Sequence, residues 1–135
     1  MLRLSLCAAL AAVLIGPAYA QSTLCDAVRQ TIEDTTPFSP FETAVCQTSR
    51  DLGGHISDHC ALAYDYRTPA ARLQFDELTT ILSGCFDSLP VEAGVNHPDS
   101  YDLRQFRHGT STISLSLKDK GALAQSFVFL RVTRP

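Results

Sequence analysis

No Cys-x-x-Cys pair occurs in the chain, which removes a thioredoxin-type redox site. Its glycines are scattered, so no backbone cradle for phosphate is present. Neither a nucleophile elbow nor an oxyanion-hole signature can be found. Basic residues are in the minority, 11 Lys+Arg against 14 Asp+Glu, and the net charge of −3 withholds the uniform positive field that neutralises nucleic-acid phosphates. No run approaches the roughly eighteen apolar residues of a membrane-spanning helix. What is there is a 135-residue chain, 45% hydrophobic and 8% aromatic, enough apolar side chain for one folded domain and too much for a disordered one.

The N-terminus reads as an export signal. Met1-Leu2-Arg3 is a short positive segment, Leu4 to Ile15 is apolar, and Gly16-Pro17 breaks any helix before the small residues of Ala18-Tyr19-Ala20. Twelve apolar residues make only about 18 Å of helix, short of a ~30 Å hydrocarbon core. Cys7 and Cys25 each follow leucine, which does not suit lipidation. The expectation is cleavage after Ala20, a periplasmic or secreted location, and a single mature domain over 21–135 with no membrane span. Four cysteines then remain, Cys25, Cys46, Cys60 and Cys85, an even number that implies two disulfides in an oxidising compartment.

Along the mature chain, Leu24, Val28 and Ile32 place a helix over Ser22 to Glu33. Phe38 to Arg67 supports two readings. Ser39-Pro40-Phe41-Glu42 has the form of a helix capping box, whereas Cys60, Leu62, Tyr64 and Tyr66 alternate as on a strand. A β-hairpin folded at Gly53-Gly54 is the preferred choice, since it sets Cys46 opposite Cys60. A helical hairpin about the same glycines also brings them near each other. Cys25 is then left to pair with Cys85. Thr68-Pro69 opens a second helix whose stripe is Ala71, Phe75, Leu78, Ile81, Leu82 and Cys85, with Gly84 at its C-terminal end. Leu89 to Asp99 reads as a loop. Tyr101 to Arg107, Thr112 to Leu117 and Ser126 to Thr133 read as strands, joined by turns at His108-Gly109 and Lys118-Asp119-Lys120-Gly121. The expected fold is α+β, in the order helix, β-hairpin, helix, three-stranded antiparallel meander.

Three places could carry function. His55 and His59 have the i, i+4 spacing of zinc ligands on a helix, but no glutamate stands where a zinc protease keeps its base. His97, Asp99 and Tyr101 gather an imidazole, a carboxylate and a phenol in one loop, the ingredients of acid–base work or of a recognition loop. In the last strand Val128, Leu130 and Val132 can face a core while Phe127 and Phe129 point the other way, either under a second layer or onto a partner, including a second copy. The function these features favour is a non-enzymatic exported protein that binds an envelope protein or a small ligand, without cofactor and without nucleic acid. A small hydrolase using His97 and Asp99, or a metal-binding protein using His55 and His59, are the alternatives.

Overall fold

A computed structural model describes residues 18–91 and 101–135, with side chains from Thr23 onward. The first helix, α1 (Ala18–Asp34), turns Leu24, Cys25, Val28 and Thr31 inward. The Thr31 hydroxyl donates to the Thr36 carbonyl at 3.1 Å, and Thr35, with φ 53°, bends the chain out of the helix. Strand β1 (Val45–Arg50) and strand β2 (Ile56–Asp65) form an antiparallel hairpin in which Cys46 stands opposite Cys60. The capping-box stretch around Ser39 is not helical; it leads through a turn, with Ala44 N–H bonded to the Phe41 carbonyl, into β1. Helix α2 (Pro69–Ser83) starts with Pro69 directly behind Thr68 and buries Ala71, Phe75, Leu78 and Leu82, a spacing that keeps one stripe on the sheet. Gly84 is right-handed at φ −77°, so the helix ends without the left-handed glycine its sequence suggests.

The remaining strands are β3 (Asp87–Leu89), β4 (Tyr101–His108), β5 (Ser111–Lys120) and β6 (Gln125–Arg134). Here the expected fold needs correction. There is no separate hairpin and no separate three-stranded meander: the described strands make one six-stranded antiparallel sheet in the order β1-β2-β6-β5-β4-β3, with two helices on one side. Strand β6 pairs with β2 from Ile56↔Arg134 to Asp65↔Gln125 on one edge and with β5 from Thr112↔Thr133 to Lys120↔Gln125 on the other. Local alternation reports which way a side chain points and is silent on which distant strand lies alongside. Short β3, which lies mostly between the expected second helix and the loop expected from Leu89, pairs with β4 through Ser88↔Phe106. Strand β5 also runs on through Lys118-Asp119-Lys120, and the turn falls at Gly121–Leu123, closed by left-handed Ala124.

The core lies between the helices and one face of this sheet, where Cys60, Leu62, Phe106, Ile113, Leu115, Leu117, Val128, Leu130 and Val132 are buried. Two disulfides fasten it. Cys46–Cys60 ties neighbouring strands with Cα atoms 4.1 Å apart, and Cys25–Cys85 ties α1 to the end of α2 at 6.2 Å. No described helix is long and apolar enough to cross a membrane.

The open face of the sheet as a candidate binding site

Because side chains alternate across a strand, the registers fix what the second face carries. Gln125, Phe127, Phe129, Arg131 and Thr133 come from β6; Thr112, Ser114, Ser116, Lys118 and Lys120 from β5. Strand β4 adds Tyr101, Leu103, Gln105 and Arg107, and β2 adds Ser57, His59, Ala61 and Ala63. Among the described residues no helix or second sheet covers this side, and it is hollowed into a concavity of about 430 Å³. His59, Tyr101, Leu103, Ser116, Phe129 and Arg131 are among its walls.

The rings here are half-buried and ordered by their neighbours. Phe127 and Phe129 lie side by side, centroids 5.4 Å apart and planes 12° from parallel. The Lys120 ammonium stands 5.6 and 5.7 Å from their centroids, and that of Lys118 is 5.6 Å from the Tyr101 ring. Cations at that range are attracted by the negative faces of the rings. Each lysine stem therefore lies against the aromatics while its ammonium remains at the surface.

The charges on the two faces are treated differently. On the helix side and around the rim, Arg29 meets Asp26, Arg67 meets Asp119, Arg72 and Arg104 share Asp102, and Arg134 meets Asp58. On the open face Arg107, Lys118, Lys120 and Arg131 form no ion pair among the described residues. The carboxylates on that side stand at its margins: Asp65 ends β2, and Asp87 lies on the edge strand opposite Arg107. His59 Nδ1 is buried without a hydrogen-bond partner among the described residues. No described serine on this face is hydrogen-bonded to an imidazole.

Of the residues singled out by sequence, Tyr101, Phe127 and Phe129 share this face, and His59 borders it. His97 and Asp99 lie outside the described residues. His55 stands at the hairpin tip, its Nδ1 3.2 Å from Asp51 Oδ2. Four residues of extended strand put it about 13 Å along the chain from His59, unlike the single helical turn that zinc-ligand spacing assumes. No described cluster of three or more His, Cys, Asp or Glu could hold a metal ion. Lys118 and Lys120 carried the signal of a charged turn, and Ser114 and Ser116 that of a solvated face; only their register with Phe127 and Phe129 reveals them as neighbours of the rings.

Two smaller hollows lie elsewhere. One, about 220 Å³, is bordered by Arg67, Arg72, Asp119 and Ser126. It is held by internal bonds: the Ser126 hydroxyl donates to Asp119 and accepts from Arg67 N–H at 2.8 Å. The other, about 240 Å³, is a seam bordered by α1, α2 and Phe41. Comparison with protein-family models, with curated proteins and with solved structures gives no match to this chain, so its function has to be argued from the open face itself.

Proposed function

We propose that the protein is an exported, non-enzymatic binding protein whose ligand rests on the concave open face of the sheet. The observation that carries this reading is the pairing of half-buried Tyr101, Phe127 and Phe129 with Lys118 and Lys120, and Arg131 in the same hollow, on a face that no described element covers. Monomeric proteins seldom present contiguous aromatic surface without a use for it, and concave sites of this volume suit small molecules. Export rests on the N-terminal pattern of Met1 to Ala20 and agrees with two disulfides, which persist in oxidising compartments.

The test uses the ¹⁵N-labelled, oxidised protein titrated with an extract of its own cell envelope. Amide shifts clustered at Leu103, Ser114, Ser116 and Phe129 are expected, and Phe129→Asp should abolish them. Shifts confined to the helix side, or chemical turnover of extract components, would sink the proposal. Intact-mass measurement of the exported chain should find Gln21 at the N-terminus; a retained Met1 would remove the export half of the reading.

A further inference from the structure

The geometry points to a small, amphiphilic organic anion as the ligand of the open face: a flat apolar body bearing acidic groups toward both ends. This rests on reading that face as the binding surface and adds the chemistry that would be recognised.

The first argument is the division of charge. The chain has more acid than base, yet Lys118, Lys120 and Arg131 line one hollow without an ion-pair partner among the described residues. Of the arginines on the helix side and rim, Arg29, Arg67, Arg72, Arg104 and Arg134 each meet an aspartate and Arg50 bonds the Gly54 carbonyl, so cations without a carboxylate are concentrated on the open face. Cations gathered in a concavity repel one another, and an anion entering it relieves that repulsion.

The second argument is their order along the strands. Lys118 and Lys120 stand at one end of the hollow, beside Tyr101 and Phe127. Arg131 lies opposite Ser114 and beside His59 at the other. Lys118 and Ser114 are four residues apart, about 13 Å of strand. The stretch between them is neutral: Ser116 opposite Phe129 on one side and Leu103 on the other. A body lying on Phe129 and Leu103 would reach a lysine pair with one end and a planar guanidinium, suited to bidentate carboxylate or phosphate contact, with the other. Gln105 and the serine hydroxyls offer neutral hydrogen bonds along its length.

Size and shape exclude other anionic partners. A hollow of about 430 Å³ holds a small molecule. A bilayer is met by a convex or flat surface, and a long polyanion would run onto a chain whose remaining surface carries the acidic surplus. A second copy docked face to face would set the same lysines and arginine against themselves.

Calorimetric titration of the oxidised protein with 2,6-naphthalenedicarboxylate, and with the neutral 2,6-naphthalenedimethanol of matching shape, tests the inference. The dicarboxylate should bind about tenfold or more tightly than the diol, with affinity falling as salt is raised. The double substitution Lys118→Gln/Lys120→Gln, and separately Arg131→Gln, should each weaken it roughly tenfold without lowering the thermal midpoint. Phe129→Ala should weaken both probes. If the diol binds as well as the dicarboxylate and Phe129→Ala abolishes both, the anion preference is overturned while the face remains a binding surface. Tighter binding of heparin, oligo-dT or phosphatidylglycerol vesicles than of the dicarboxylate overturns the small-ligand class. Absence of any response at this face, to either probe or to envelope extract, overturns this inference and the proposed function together.

Discussion

The two sides of one sheet obey different rules. On the helix side apolar residues are buried and a buried carboxylate has its counter-ion: Asp58, 2% exposed, accepts hydrogen bonds from Thr48 and from Arg134, itself 7% exposed, whose Nε and Nη1 have no partner among the described residues. On the other side the rings are half-buried and the cations have no counter-ions among the described residues. One side is closed over a packed core, and its residues serve stability. The other is chemically incomplete, and selection for stability alone does not explain it.

The largest effect that sharpens this contrast comes from the covalent ties of the helix side. Reduction should cost about 4 kcal/mol for Cys25–Cys85, which closes a separation of 60 residues, and about 3 kcal/mol for Cys46–Cys60, which closes one of 14. Denaturant midpoints of Cys25→Ser/Cys85→Ser and Cys46→Ser/Cys60→Ser variants check the order; equal losses would contradict it. Next, Phe75→Ala, at a fully buried ring, should lose about 3–5 kcal/mol, whereas Phe127→Ala on the open side should lose about 1 kcal/mol. Similar losses would mean that the open face is a second core.

The charges give the third comparison. Asp58→Ala strands the Arg134 guanidinium and should cost about 3–5 kcal/mol, much of it recovered when Arg134→Met is added. Arg131→Gln on the open side should change stability by no more than about 0.5 kcal/mol. The smallest effect lies at the hairpin tip. Partial desolvation raises the Asp51 pKa, but the hydrogen bond from the His55 backbone N–H and the neighbouring imidazole lower it further, to a net value below the ordinary carboxylate range. A depressed carboxyl pKa contributes stability that is present above the unfolded-state value and disappears as the pH falls through the folded-state value. NMR titration of His55→Ala should show the Asp51 carboxyl moving back up, and an unmoved carboxyl would exclude the contact.

What could be read from the sequence was whatever short segments specify. Thr68-Pro69 marks the start of α2, the alternation of Ile113, Leu115 and Leu117 marks β5, and the spacing of Cys46 and Cys60 about two glycines marks both hairpin and bridge. What escaped depends on partners far along the chain. Ser57-Asp58-His59 looks too polar for a strand until Arg134, 76 residues on, neutralises Asp58. The two-sided apolar character of β6 was visible, but its place between β2 and β5 was not, since nothing local distinguishes a central strand from one with a ligand on it. The candidate site was legible in the same partial way. Tyr101, Phe127 and Phe129 stood out as single residues, while Arg131, alone in an apolar run, gave no signal of its own.

The central position of β6 also governs the order of assembly. The last described strand of the chain joins β1–β2 to β3–β5, and until it arrives each group has an open edge with unpaired backbone groups. The Cys46–Cys60 hairpin can form early from nearby residues, but the sheet cannot close before residues 125–134 are free to enter it. In a chain arranged in this way the strand that comes last in the described sequence is the one that joins the two halves of the sheet.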